Sequence, residues 1–289
     1  MKADLHLHST WSDGSMSVPA LIRFAAALGL EALSVTDHDT MAGQEEALEE
    51  GRRQGVRVIP GVEISAFNPE TGRKAHILGF QVRDMEGLNH SCLPWLRSRH
   101  EKNMESLDLL IKAGCPLRRE DVLEYAALDG TVYRQHIMHA LADRGYCSAI
   151  YGPLYTRLFG PGGLALTTAS YMSAEEAVRL IRDCGGLAVL AHPFQYDTMG
   201  FLPRLVELGL SGIEYKHPTQ NIERQQSVRE AARRYGLFLT GGSDFHGLYS
   251  EKPVPPGAMD AELPEELSSG SRPSAERTAD KGFQDFTVF

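Results

Sequence analysis

A chain of 289 residues, 42% hydrophobic and 23% charged, has the length for one large α/β domain with an insertion and the composition of an ordinary globular protein. Its formal charge of −9 argues against a broad basic surface for a nucleic-acid duplex, and no run approaches the ~18 apolar residues of a membrane span. The four cysteines, Cys92, Cys115, Cys147 and Cys184, form no C-x-x-C pair, and the charged start Met1-Lys2-Ala3-Asp4 shows no apolar leader, so buried free thiols and a cytoplasmic location are expected.

The first element, Ala3-Asp4-Leu5-His6-Leu7-His8-Ser9, alternates polar and apolar residues with the period of a β-strand, which puts Asp4, His6 and His8 on one face. Histidines at i and i+2 on a strand stand about 6.5–7 Å apart at Cα, a spacing that suits one metal ion. A solvated edge strand is the alternative that this motif alone leaves open. Ser17 then caps a helix to about Leu28, with Pro19 in its first turn, Gly29 at its stop, and Leu21, Ile22, Ala25 and Leu28 as its buried stripe. Residues 32–36 read as a strand ending in Thr36-Asp37-His38-Asp39. A helix over 45–54 stops at Gly55, and residues 56–65 read as a strand ending near Glu63. Residues 75–80 read as the next strand, with His76 early in it. This β-α-β-α rhythm predicts parallel strands with helical crossovers, and polar chemistry at successive strand ends fits a barrel whose site gathers at the carboxyl ends of its strands.

From residue 84 to 168 the rhythm breaks. Leu93, Leu96, His100, Met104, Leu107 and Ile111 mark a helix of about two dozen residues that ends at Gly114. Shorter helical patterns follow over 120–127, 134–144 and 148–158, and Arg99, Asn103, Arg134 and His136 in this stretch are candidates for anchoring an anion. The rhythm resumes at the capping box Ser173-Ala174-Glu175-Glu176, whose helix runs to Asp183. A strand leads into Ala191-His192-Pro193, another into Lys216-His217-Pro218, a helix covers 222–235, and a last strand enters Ser243-Asp244-Phe245-His246-Gly247. Beyond Ser250 the composition turns to Pro, Ser and Glu and predicts a loose tail, with a more apolar end over 283–289.

Asp4-Leu5-His6-Leu7-His8-Ser9, Thr36-Asp37-His38-Asp39, Gly61-Val62-Glu63, Ala191-His192-Pro193 and Ser243-Asp244-Phe245-His246-Gly247, in that order, resemble the motifs of the PHP (polymerase and histidinol phosphatase) superfamily. The resemblance is nearest to the stand-alone phosphoesterases of that family. Its implied fold is α/β, a distorted (β/α)7 TIM-like barrel of residues 1–83 and 169–250, with a helical insertion subdomain over 84–168 and a C-terminal tail over 251–289. It also implies two or three divalent ions, for which manganese, iron or zinc suits the donors better than magnesium. The implied ligands are His6, His8, Glu63 and Asp244 for one ion, Glu63, His76 and His192 for a second, and Asp13, His38 and His246 for a third.

Glu63, Asp244 and His192 are then the expected catalytic residues, serving a metal-activated hydroxide. Arg134-Gln135-His136 stands where this branch carries Arg-Pro-His, and Arg134 and His136 are expected to grip a substrate phosphate; Arg99, Asn103, Lys216 and His217 are further substrate candidates. Asp4 and Asp37 are candidates to orient ligand imidazoles. The activity implied is hydrolysis of phosphomonoesters of nucleotides, such as nucleoside 3',5'-bisphosphates, or attack on the 5' ends of short single-stranded RNA. Duplex DNA and membranes are not expected partners. A phosphatase of histidinol phosphate or another small molecule, and a non-catalytic PHP module, are the alternatives.

Overall fold

The structure, a computed structural model, describes residues 1–268. The apolar end segment 283–289 lies outside them. The chain opens with β1 (Lys2–Leu7), α1 (Val18–Ala27), β2 (Ala32–Val35), α2 (Gln44–Gln54) and β3 (Arg57–Val58). Leu21, Ile22 and Ala25 are fully buried as expected and, with Val18, pack α1 against Leu7, Leu33 and Val35, whereas Leu28, expected in the same stripe, is exposed. Gly55, at φ 70°, ends α2 in the left-handed conformation that a Cβ disfavours.

Pro60, with no N–H to give, separates β3 from β4 (Gly61–Phe67), and β4 turns through Asn68–Arg73 hydrogen bonding into β5 (Lys74–Phe80). An excursion of helices follows: α3 (Met85–Lys112), α4 (Arg119–Leu123), α5 (Arg134–Asp143) and α6 (Pro153–Phe159). It has its own apolar cluster, in which Leu107, Leu110, Val132, Ile137, Met138 and Leu141 are buried. The chain then returns through β6 (Met172–Ser173), α7 (Ala174–Asp183), β7 (Leu187–Leu190), α8 (Leu202–Glu207), β8 (Gly212–Lys216), α9 (Ile222–Tyr235), β9 (Phe238–Gly241), β10 (Ala261–Glu262) and α10 (Glu265–Ser268). The capping box of α7 forms as expected, with Ser173 N–H donating to Glu176 at 2.7 Å and Glu176 N–H to Ser173 Oγ at 3.2 Å.

The strands make two sheets, in orders β10-β1-β2-β3 and β6-β4-β5-β7-β8-β9, which meet through single parallel bridges at Leu7–Phe245 and His38–Glu63. The architecture is that of a distorted TIM-like barrel, without a continuous hydrogen-bonded ring among the described residues. Two expectations are corrected. The run 56–65 is not one strand ending at Glu63: Glu63 is near the start of β4, opposite Leu78 in an antiparallel hairpin with β5, which is itself antiparallel to β7. The segment after Ser250 is not loose up to residue 268. β10 pairs with the outer edge of β1 through Lys2–Glu262 and Ala3–Ala261, and Leu267 is fully buried.

Candidate metal centre

β1 carries the donors into the middle of the molecule, where His6 and His8 are both completely buried. Two glycines let neighbouring chain pass close to them. A Cβ on Gly242 would stand 2.3 Å from the His6 Cβ, and one on Gly14 would stand 2.3 Å from the His8 carbonyl oxygen. His6 Nε2 lies 3.2 Å from Glu63 Oε2 and 3.4 Å from Asp244 Oδ1, and His8 Nε2 lies 3.2 and 3.3 Å from the same two oxygens. The other Glu63 oxygen faces away from this group, 2.8 Å from His76 Nδ1 and 2.9 Å from His192 Nε2. Glu63 thus presents one oxygen to each of two neighbouring donor groups. His38 stands between it, at 3.3 Å, and Asp13 Oδ1, at 3.9 Å. Asp13 Oδ1 also has His246 Nε2 at 3.3 Å and His8 Nδ1 at 3.9 Å.

Candidate ion-holding groups are therefore His6, His8, Glu63 and Asp244; His38, Glu63 and His76, with His192 on the same Glu63 oxygen; and His8, Asp13, His38 and His246. The placing of His8 and His38 at shared positions is new to the structure.

The donor set fits metal. His6 Nε2, both ring nitrogens of His8 and Asp13 Oδ1 are buried with no hydrogen-bond partner, although a buried polar atom ordinarily has one. Among the described residues, Asp13, Glu63, Glu214 and Asp244 have no Lys or Arg ion-pair partner and pair with imidazoles instead. Burial pushes the Glu63 carboxyl up, but the imidazoles of His6, His76 and His38 outweigh it and hold the group well below the ordinary range. Backbone strain marks the same place: His192 and Asp244 have φ of 21° and 52°, where L-residues are seldom found.

Glu214, which the sequence reading passed over, is fully buried, accepts from His6 Nδ1 at 3.0 Å and from the His192 N–H at 2.7 Å, and so fixes the direction of the His6 ring. Asp4 and Asp37 do not hold imidazoles. Asp4 accepts from the N–H groups of Ser243 at 3.0 Å and Gly257 at 2.7 Å, and Asp37 from Ser9 and Ser12, so both brace the loops around the centre.

The centre forms one wall of a cavity of about 890 Å³. Arg99 lines it, its guanidinium 4.8 Å from the ring of Tyr133 and 5.1 Å from that of Tyr171, donating to Asp39 at 2.8 Å and Ser65 at 2.6 Å. Arg134 lines it too, held by a 2.6 Å bond to the Thr167 carbonyl. Asn103 reaches the wall while its amide donates to the Val132 carbonyl at 2.7 Å. His217 touches the centre itself, 3.4 Å from Asp244 Oδ2.

Two substrate candidates are not brought to the cavity. The His136 ring is turned under the start of α5, where Nδ1 accepts the Tyr133 N–H at 3.1 Å, and burial pushes its pKa down to about 4, leaving it uncharged near neutrality. Lys216 points outward to the Asp260 carbonyl. Lys74, not singled out from sequence, takes a place in the lining, and burial with the nearby Arg134 and Arg99 charges lowers its pKa to about 8. Its two-residue spacing from His76 on a strand is the signal that marks it.

Residues 4–183 match the PHP domain family. A phosphoribosyl 1,2-cyclic phosphate 1,2-diphosphodiesterase of Eggerthella lenta is 44% identical over 88% of this chain and 97% of its own. The chain belongs to the PHP family. A second PHP relative, a 3',5'-nucleoside bisphosphate phosphatase of Chromobacterium violaceum, is 31% identical over 84% of this chain and 86% of its own. In fold, the solved structure of a Bifidobacterium adolescentis protein superposes with a TM-score of 0.82 at 24% identity, covering 92% of this chain and 93% of that one. The present chain is accordingly a PHP-family phosphoesterase, a hydrolase of phosphoric ester bonds, with buried His and carboxylate groups that could hold metal ions. Among its described residues no helix is long and apolar enough to cross a membrane, and its four cysteines are free.

Proposed function

We propose that the substrate is a ribose-based phosphoester carrying phosphate at two separated positions, and that the reading closest to this chain's own site is a phosphoribosyl cyclic phosphate opened and then cleaved at the metal centre. The observation that carries it is the pairing, in one cavity, of the His and carboxylate centre with Arg99, Lys74 and Arg134. The relative acting on a phosphoribosyl cyclic phosphate is 44% identical over nearly its whole length, which supports the cyclic ester over a linear one.

Divalent ions, when bound, would lower the pKa of a coordinated water and draw charge from the phosphoryl oxygens. The sets proposed to hold them are His6, His8, Glu63 and Asp244; Glu63, His76 and His192; and Asp13, His38 and His246. Manganese, iron or zinc suits these donors. The remaining work belongs to the chain. Glu214 and His217 keep His6 and Asp244 aimed inward. Arg134 offers a planar fork to the phosphate that is not cleaved and Lys74 adds a second positive charge, while Arg99, held between two rings and paired with Asp39, shapes the wall between them. Two hydrolyses are needed: the first water adds across one P–O bond of the ring and leaves a phosphomonoester beside a free ribose hydroxyl, and the second adds across the remaining ester bond and leaves inorganic phosphate and the other ribose hydroxyl.

A second reading, a nucleoside 3',5'-bisphosphate or an RNA 5' end, is favoured by the partly exposed Tyr151, Tyr155, Tyr171 and Tyr196 in the lining, since a base of any identity can stack on such rings. The free thiols suit a reducing cytosol. Steady-state kinetics with Mn²⁺ on a phosphoribosyl 1,2-cyclic phosphate, adenosine 3',5'-bisphosphate, AMP, a 5'-phosphorylated RNA and histidinol phosphate decides among these. The cyclic ester is expected to give the highest kcat/KM; AMP or histidinol phosphate as the best substrate would end the two-phosphate reading.

A further inference from the structure

Gln135 stands between two residues already given roles, and the sequence motif it interrupts places a proline there. Its amide Nε2 donates to Asp13 Oδ2 at 2.8 Å and reaches the Tyr151 hydroxyl at 3.0 Å. Asp13 is 4% exposed, and the amide is its one side-chain partner other than imidazole among the described residues. With Oδ2 tied, Oδ1 is turned to His246, His38 and His8 and has no hydrogen-bond partner of its own. The loop around Asp13 is fixed at its backbone by the Ser9 carbonyl, which accepts from Ser12 and Gly14 at 3.0 and 2.9 Å, but those bonds leave the carboxylate free to rotate. A proline at position 135 has no donor with which to stop that rotation.

We propose that Gln135 is a positioning residue that orients Asp13 for the ion site of Asp13, His38 and His246, and so joins the helix bearing Arg134 to the occupancy of that site. The inference rests on the metal reading above. It gives the helical excursion a hold on the centre as well as on the substrate: α5 begins at Arg134, so a shift that moves Arg134 toward a bound phosphate moves the Gln135 amide with it. Because the coupling is reciprocal, filling the ion site also favours the α5 position in which Arg134 faces the cavity.

The test is equilibrium dialysis of the full chain, stripped by chelator, against graded Mn²⁺, with bound metal counted by elemental analysis. Gln135→Leu removes the donor, and the isosteric Gln135→Glu replaces it with a carboxylate that repels Asp13, so one variant serves if the other melts early. One Mn²⁺ site, the one lost in Asp13→Asn, is expected to weaken by ~10–100-fold in either variant, with the remaining binding unchanged. Asp13→Asn, run alongside, separates the two layers of the argument. Loss of a site in Asp13→Asn with wild-type binding in both Gln135 variants would overturn the positioning role alone. Wild-type binding in Asp13→Asn would remove the ion site and the proposal together.

Discussion

Glu214 acts through His6, and the consequence is measurable without substrate. Glu214→Gln keeps the size of the side chain and an oxygen for the His192 N–H but loses the charge that holds His6 Nδ1–H. Mn²⁺ affinity is expected to fall by about 10–100-fold with an unchanged far-ultraviolet spectrum; unchanged affinity on calorimetric titration would show that the His6 ring is held by packing instead. His136 offers a second case. Its folded pKa of about 4 lies below the unfolded value near 6.5, so between these the unfolded chain binds more protons and stability falls as pH falls. The loss from pH 7 to 5 should be about 2 kcal/mol. His136→Gln places at the third helical position a residue that still accepts the Tyr133 N–H and does not titrate. In chelator-treated samples its denaturant stability should depend less on pH than that of the wild type by that amount; equal slopes would contradict the assignment. The candidate donors could be named from sequence because metal sites demand a few residue types and the family motifs carry them, and the fold gathers those residues into three groups. Glu214 was not, because a lone strand glutamate means little until His6, 208 residues away, is set beside it. The directions of Lys216 and His136 were likewise decided by neighbours that no local pattern reveals.

Among elements, α5 and β10 matter most for function and stability. Arg134→Ala is expected to raise KM for a doubly phosphorylated ribose ester by ~10–100-fold, the worth of a charge-assisted hydrogen bond, and to do far less to an aryl phosphate. Equal damage to both would mean that α5 serves catalysis generally and not the second phosphate. β10 guards an edge. A chain ended at residue 250 leaves the outer edge of β1 at Lys2 and Ala3 unpaired, exposes the pocket of Leu267 and removes the Gly257 N–H from buried Asp4. Its melting temperature should fall clearly below that of a chain ended at 268, with visible aggregation; coincident melts would show that the edge needs no cover. Helices α1, α2 and α7 were readable from their glycine stops, apolar positions and the α7 capping box, although the Ser17 side chain makes no cap hydrogen bond to α1. The β4–β5 hairpin was misread as parallel although Asn68-Pro69-Glu70-Thr71-Gly72 is turn chemistry, because the crossover rhythm on either side set the expectation.

For the whole molecule, charge is sorted by place: buried carboxylates gather at the centre, and Lys74, Arg99 and Arg134 line the cavity beside it. A net charge of −9 gives a polyanionic duplex no long-range attraction, while Lys74 and Arg134 line the cavity beside Arg99, whose charge is met by Asp39. Under conditions that hydrolyse a small ribose ester, duplex DNA should therefore yield no measurable nucleotide over the same time course; release at a comparable rate would require a basic track that has been overlooked. The arrangement of β1 also has a meaning for birth on the ribosome. This strand precedes all its partners in the chain, yet its flanks are taken by β2 on one side and by β10 on the other, and the Asp244 of its donor group comes later still than His192. A nascent chain must carry bare histidines and a naked strand edge until those partners emerge. Chaperone capture of that edge, or premature metal uptake by an unfinished site, is the hazard this order of assembly creates, and both end when residues 244 to 262 emerge.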